Sequence, residues 1–220
     1  MKKKQFVVIG LGRFGSSVAK TLYELGNDVM AIDADEEVIQ EIADSVTHAV
    51  QADSTDENTL KALGISNFDV AVVTIGSNVQ TSIMTALLIK ELGVKNILAK
   101  AHNELHAKVL QKIGVDKVIF PERDMGVRVA HNLVATSILD YIELSPDYSI
   151  AEIISSSDWV GKSLKELNMR AKYGISIMAL KRDNEINVSP LAEDIIQEGD
   201  VIVAIGGTEE LNELENKINP

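Results

Sequence analysis

Three glycines, Gly10, Gly12 and Gly15, form the pattern Gly-x-Gly-x-x-Gly directly after a short apolar segment. In such a pattern the first glycine permits a tight turn, the second lets the backbone approach a phosphate group, and the third allows close helix packing. Backbone N–H groups and the helix dipole then bind the anion. Because residues 6–9 predict a strand and residues 13–25 a helix, we expect a nucleotide-binding loop here.

Two charged side chains restrict what such a site would bind. The carboxylate of Asp33, at the end of the second predicted strand, would accept hydrogen bonds from a ribose diol and repel a 2′-phosphate, which disfavours NADP. Arg13 and Phe14 lie inside the loop, where a guanidinium would bind two oxygens of a terminal phosphate. The alternatives are an Arg13 that faces solvent and an Asp33 that caps the next helix, although Asp35 is the better cap.

A polar tripeptide, Asp53, Ser54 and Thr55, follows the third predicted strand. In a dinucleotide-binding fold the adenine edge of the ligand lies in this region. The tripeptide either caps the helix that begins near Asp56 or lines an adenine pocket, and the two interpretations are compatible.

The residue types argue against an enzyme. The chain has no Cys, which excludes disulfides, thiolate nucleophiles and Cys-based zinc sites, and it has no Gly-x-x-x-x-Gly-Lys-Ser/Thr phosphate loop for ATP hydrolysis. No acid–base residue for hydride transfer stands out. His102 and His106 have a helical i, i+4 spacing that suits a metal, but without a third ligand we expect a surface or interfacial pair.

The composition is that of a soluble globular protein. Acidic residues outnumber basic ones by 33 to 21, giving a net charge of −12, which argues against nucleic acid or anionic lipid as the main partner. The apolar run behind the N-terminal lysines is too short for a signal peptide. No apolar stretch reaches the ~18 residues that span a bilayer, so we expect no direct membrane insertion.

The pattern of elements predicts two domains. Short apolar strands alternate with Gly-terminated helices over residues 6–120, which predicts an α/β, Rossmann-like, doubly wound parallel sheet of six strands. A helix is predicted over residues 123–140, and a turn and linker over residues 144–147. Later strands and short helices predict a small α+β domain that needs a neighbour or a second copy. The predicted boundaries are 1–122, 123–143 and 144–220.

Four stretches together resemble a known family: residues 8–15, 53–55, 120–126 and 170–174. They are similar to the cytosolic regulatory subunits of Ktr-type bacterial potassium-uptake systems, which carry an RCK (regulator of potassium conductance) domain of the KTN type. The resemblance covers essentially the whole chain, and its tracts around Pro121 and Tyr173 are specific. It implies a cytoplasmic, non-enzymatic subunit whose dimers form an octameric ring, held at the inner face of the membrane by a potassium-translocating subunit.

The resemblance also implies that the Rossmann-like half binds ATP and ADP and that the ring changes shape between them. Arg13 would reach the terminal phosphate, Asp33 the ribose, and Lys100 would lie by the pocket. Glu122 would lie at a dimer interface near the γ-phosphate, where Mg²⁺ or Na⁺ offsets negative charge; alternatively it is a first-turn acid favoured by the helix dipole. The nucleotide residues implied are Gly10, Gly12, Arg13, Phe14, Gly15, Asp33, Asp53, Ser54, Ile75, Gly76, Lys100 and Glu122.

A second site is implied in the C-terminal domain, where relatives bind cyclic di-AMP. Arg170 would contact a phosphate, and Ile175 and Ile177 would pack on the bases, unless they are simply the core positions of a strand. The chain departs from the family at Ser176, where Asn is common. The residues implied are Arg170, Ala171, Ile175, Ser176, Ile177 and Pro190.

Two other functions fit the glycine loop and Asp33. One is an NAD(H)-binding oxidoreductase with a small regulatory domain, although no acid–base group supports it. The other is an NAD(H)-sensing regulator of ion transport with the same architecture.

Overall fold

The computed structural model describes residues 3–76, 78–134, 138–145, 147–183 and 185–218. The chain divides into two compact units, residues 1–121 and 122–220. Among the described residues, every helix is too short or too polar to cross a bilayer.

The first unit is a parallel six-stranded sheet covered by helices. Its strands lie in the order β3-β2-β1-β4-β5-β6, so the strand order reverses between β1 and β4. Ligands of such sheets bind in the crevice at the carboxyl ends of the strands, where the order reverses. The elements are β1 (Gln5–Ile9), α1 (Arg13–Glu24), β2 (Asp28–Asp33), α2 (Glu36–Ile42), β3 (His48–Gln51), α3 (Glu57–Ala62), β4 (Val70–Val73), α4 (Val79–Glu91), β5 (Asn96–Lys100), α5 (Glu104–Ile113) and β6 (Lys117–Ile119).

Burial on both faces explains the continuous apolar strands of this unit. Val7 and Ile9 of β1 point into one core cluster, and Val8, between them, points into the cluster on the other face. All three side chains are fully buried. The predicted α/β class, with a doubly wound parallel sheet, is therefore confirmed.

The second unit is a five-stranded antiparallel sheet with short helices. Its strands lie in the order β10-β9-β11-β8-β7, and its core includes Tyr141, Trp159, Ile175 and Ile202. The helix α6 opens the unit. The elements are α6 (Pro121–Val134), β7 (Ile138–Ser145), β8 (Tyr148–Ile154), α7 (Leu164–Leu167), α8 (Met169–Tyr173), β9 (Ser176–Arg182), β10 (Glu185–Asn187), β11 (Val201–Gly207) and α9 (Thr208–Ile218).

One predicted element of the second unit is wrong. The helix expected to reach residue 140 ends at Val134, and residues 138–145 form the strand β7. This strand pairs with β8 in an antiparallel register that includes Ile142 with Ile150 and Ser145 with Tyr148. The predicted turn and linker over residues 144–147 thus begins within β7, a strand of the same sheet as β8. Pairing with β8 overrides the local helical pattern.

Candidate functional site

The glycine loop lies where β1 passes into α1, at the carboxyl edge of the parallel sheet. Gly10 has φ +92, and a Cβ there would lie 2.8 Å from the backbone nitrogen of Ile75. At Gly15 a Cβ would lie 2.0 Å from the carbonyl oxygen of Gly10. No atom lies within 4 Å of the corresponding position on Gly12, the N-cap residue of α1. Two glycines are thus required by close packing, and Gly12 leaves open space at the helix terminus.

The start of α1 supplies backbone donors for an anion. The helix begins at Arg13, and the Ser16 N–H is the donor to the carbonyl oxygen of Gly12, at 2.9 Å. The N–H groups that precede Ser16 in the first turn have no acceptor four residues earlier within the helix. Together with the helix dipole they form a favourable environment for a phosphate group. Arg13 is exposed at this terminus and Phe14 is half-buried.

Asp33, the last residue of β2, lies beside the glycine loop. Its Oδ2 accepts a hydrogen bond from the Leu11 N–H at 2.5 Å, and its Oδ1 accepts one from the Asp35 N–H at 3.0 Å. The side chain of Asp35 accepts from the Glu37 N–H at 2.9 Å and caps α2. The prediction that Asp35 is the helix cap is therefore confirmed.

The ends of β4 and β5 complete this edge of the sheet. The buried Thr74 hydroxyl donates to the carbonyl oxygens of Ile9 and Gly10, which ties the first strand to the fourth. A Cβ on Gly76 would lie 3.3 Å from Nζ of Lys100. Ile75 is thus packed against Gly10 of the loop, and the ammonium group of Lys100 lies beside Gly76. Contact of these residues with a nucleotide stays a prediction. Thr74 was not identified from the sequence. Its only distinguishing feature there is a hydroxyl group at the end of an apolar strand.

Asp53 and Ser54 follow β3 but do not cap the next helix. Asp56 caps α3, accepting from the Asn58 N–H at 3.0 Å. Asp53 instead accepts hydrogen bonds from the N–H and hydroxyl of Thr55, and these bonds lower the pKa of Asp53. The buried Ser54 hydroxyl lies 2.8 Å from that of Thr85 on α4. Their contact with adenine stays a prediction.

Glu122 lies in the first turn of α6, where an acid is favoured by the helix dipole. It belongs to the second unit, so its contact with a nucleotide or a cation stays a prediction. Among the described residues no group of three or more His, Cys, Asp or Glu side chains is placed to hold a metal ion.

The two histidines do not form the surface pair expected from their spacing. His106 is 2% exposed, and its Nδ1 accepts a hydrogen bond from the backbone N–H of His102 at 3.2 Å. Burial, together with the charge of His102, lowers the pKa of His106. The Nδ1 contact gives His106 a structural role at the start of α5.

The residues implied for cyclic di-AMP lie in different environments of the second unit. Arg170 and Ala171 are exposed on α8, and Ser176, Ile177 and Pro190 are half-buried. Ile175 is fully buried in the core cluster, which favours the core interpretation for this residue.

The sequence matches known families over both units. Residues 6–121 match the TrkA-N domain and residues 148–219 match the TrkA-C domain. The chain is 50% identical over 216 residues to Ktr system potassium uptake protein C of Bacillus subtilis (strain 168), with 98% of both chains covered. It is 48% identical over 217 residues to Ktr system potassium uptake protein A of the same organism, covering 99% of this chain and 98% of that one.

The fold matches a solved structure of the same architecture. The crystal structure of the GsuK RCK domain superimposes with a TM-score of 0.68 at 17% identity. The match covers all of this chain and 48% of that chain, so this chain spans about half of that structure. The comparison confirms the predicted RCK fold.

Proposed function

Because the chain belongs to the family of the Ktr system potassium uptake proteins A and C, we propose that it is a regulatory, non-enzymatic subunit of a potassium-uptake system. The subunit is cytoplasmic and acts at the inner face of the membrane through a membrane-embedded potassium-translocating partner. It binds ATP or ADP, and the change in its shape between the two nucleotides regulates that partner. The observation that carries the proposal is the convergence of the glycine loop, Gly76 and Lys100 at one edge of the parallel sheet.

The charges at this edge favour a ligand with several phosphate groups. The first-turn N–H groups of α1 serve one phosphate. Arg13 at the same terminus and Lys100 beside Gly76 add two cations, more than a pyrophosphate already bound by a helix terminus requires. Asp33, beside the loop, would accept the ribose hydroxyls. The same carboxylate would repel a 2′-phosphate, which supports ATP and ADP over NADP.

A switch needs a ligand that binds its two states unequally. ATP carries a γ-phosphate, which ADP lacks. Arg13 would contact this phosphate, and a Mg²⁺ or Na⁺ ion at Glu122 would offset its charge. The two nucleotides would therefore stabilise different shapes of the ring. A coupling free energy of about 1–3 kcal/mol is usual for such regulation.

The second unit supports assembly of the chain with copies of itself. Its α6 and β7 expose large apolar side chains, and three of them, Val127, Ile142 and Leu144, line an open groove of about 580 Å³. Large apolar side chains exposed on two neighbouring elements are typical of an association surface, which supports dimers that build an octameric ring. The exposed side chains are Met125, Val127, Val129, Leu133, Leu139, Ile142 and Leu144.

The same unit is the proposed binding region for cyclic di-AMP. The exposed guanidinium of Arg170 suits a phosphate, and the half-buried Ile177 and Pro190 offer apolar surface for a base. Because Ile175 is buried, base packing would rest on the other residues of the set.

Thermal unfolding with nucleotides tests the function. We expect equimolar ATP and ADP to raise the melting temperature of the purified chain, and NADH to raise it much less, because a ligand stabilises the state that it binds. In cells that carry the membrane partner, deletion of the chain should then change potassium uptake. Stabilisation by NADH alone would favour the NAD(H)-sensing alternative, and hydride transfer to a substrate would overturn the non-enzymatic proposal.

A further inference from the structure

The first two residues of the glycine loop are held by the protein itself. The Gly10 N–H donates to the carbonyl oxygen of Ile32 at 2.9 Å. Leu11 is 2% exposed, and its carbonyl oxygen accepts from the Ser16 hydroxyl at 2.6 Å. Its N–H donates to Oδ2 of Asp33. Asp33 thus contacts the loop directly, through the backbone N–H of Leu11, and this contact does not depend on a bound ribose.

We infer that Asp33 is a positioning residue for the phosphate loop, in addition to its proposed contact with ribose; the inference rests on the proposed function. By holding the Leu11 N–H, its carboxylate fixes the chain immediately before the N–H groups that open α1. Those groups would bind the phosphates, so their direction depends on this anchor. A hydrogen bond to a carboxylate is stronger than one between neutral groups.

Charge and hydrogen bonding at Asp33 have opposite effects on phosphate binding. Its negative charge repels a phosphate chain at the same edge of the sheet, whereas its hydrogen bond to Leu11 orders the loop. Its other oxygen accepts from the Asp35 N–H at 3.0 Å, so the carboxylate also joins the loop to the start of α2. A ligand without ribose separates these effects from ribose recognition.

Calorimetric titration with tripolyphosphate, which has the phosphate chain of ATP but no sugar, tests the inference. In Asp33→Ala the loop loses its anchor, and we expect tripolyphosphate to bind about tenfold more weakly although a negative charge has been removed. In Asp33→Asn the single amide oxygen can accept from the Leu11 N–H, and the bond from the Asp35 N–H is then lost. Because the anchor of the loop is kept and a negative charge is removed, we expect tripolyphosphate to bind at least as tightly as to the wild type. ATP binding should weaken in both variants because the ribose contact is reduced.

Asp35→Asn is the matched control. It removes a negative charge two residues away but keeps an oxygen that caps α2, so tripolyphosphate binding should stay at the wild-type level or tighten slightly. A tenfold loss in this control would mean that Asp33 has no special role and would overturn the inference.

Amide hydrogen exchange at Leu11 in the ligand-free protein gives an independent measurement. We expect the Leu11 N–H to be protected in the wild type and in Asp33→Asn, and to exchange at least tenfold faster in Asp33→Ala. If Asp33→Ala weakens ATP binding but leaves tripolyphosphate binding and Leu11 exchange unchanged, Asp33 contacts only ribose and the inference is wrong. If the wild type binds neither ligand, the proposed function fails, and this inference with it.

Discussion

The guanidinium of Arg182 binds the fully buried carboxylate of Asp200 through two hydrogen bonds, from Nε at 2.7 Å and from Nη2 at 2.8 Å. The Gln197 N–H donates to the same carboxylate at 2.7 Å. The hydrogen bonds from Arg182 are the main cause that lowers the pKa of Asp200, and the bond from the Gln197 N–H lowers it further. The pair joins β9 to the turn before β11.

Loss of this carboxylate should destabilise the second unit. Asp200→Ala leaves the Gln197 N–H without its acceptor and the Arg182 guanidinium with the Ile195 carbonyl oxygen alone. We expect the free energy of unfolding to fall by about 2–3 kcal/mol. Urea denaturation at pH 7 measures the change. As a control, Asp158→Asn alters an exposed carboxylate of the same unit and should cost less than about 0.5 kcal/mol. Equal effects would contradict this role.

The pH dependence of stability should report on His106. Its pKa is lowered in the folded protein, so it is neutral there while the unfolded chain, with an ordinary value of 6.5, binds a proton more readily. Stability due to this group is therefore complete above pH 6.5 and is lost as pH falls from 6.5 towards the lowered value. A single proton gives a slope of at most about 1.4 kcal/mol per pH unit.

His106→Leu should remove this part of the pH dependence, because Leu does not bind a proton. Urea unfolding of the wild type and the variant between pH 7.5 and pH 5 measures it. The matched control is His48→Gln, since His48 is exposed on β3; this variant should keep the wild-type slope. A slope that is unchanged in His106→Leu would contradict the prediction.

The parallel sheet could be predicted from the sequence because its apolar strands and terminal glycines are local signals. The strand β7 could not. Apolar residues at Ile138, Tyr141, Ile142 and Leu144 follow the spacing of a helix face as well as that of a strand. The choice depends on pairing with β8, which no local pattern contains.

The same distinction applies to the candidate site. The glycine loop and Asp33 have local signatures and could be predicted, although the Asp33 bond to Leu11 could not. Thr74 binds the Gly10 carbonyl across 64 positions of sequence, because β1 and β4 are neighbours only in the folded sheet. The spacing of His102 and His106 suggests a surface pair, whereas His106 is buried, and burial depends on packing that the spacing does not contain.

Arg13 should decide how well the protein distinguishes ATP from ADP. If its guanidinium contacts the terminal phosphate, Arg13→Ala should weaken ATP binding by about tenfold and ADP binding much less, so the affinity gap narrows. Titration calorimetry with both nucleotides measures the gap. Lys20→Ala is the control, because Lys20 is an exposed cation of the same helix away from the loop. An unchanged gap in Arg13→Ala would contradict a γ-phosphate contact.

Gly12 and Gly15 should respond differently to alanine, although both belong to the same motif. At Gly15 a Cβ would lie 2.0 Å from the Gly10 carbonyl oxygen and 2.5 Å from the Thr74 hydroxyl. The helix must then move away from the sheet, and we expect Gly15→Ala to reduce the free energy of unfolding by about 2–3 kcal/mol. At Gly12 the space is open and φ is −60, so Gly12→Ala should fold normally.

Gly12→Ala should reduce ATP binding much more than it reduces the stability of the fold. Its methyl group would occupy the open space in front of the α1 terminus, where we place the phosphates, and ATP should bind at least tenfold more weakly at an unchanged melting temperature. Thermal unfolding without ligand and calorimetry with ATP separate the two effects. Wild-type ATP affinity in Gly12→Ala would place the phosphates elsewhere, because a methyl group at this position cannot share the space with a phosphate held by the first turn.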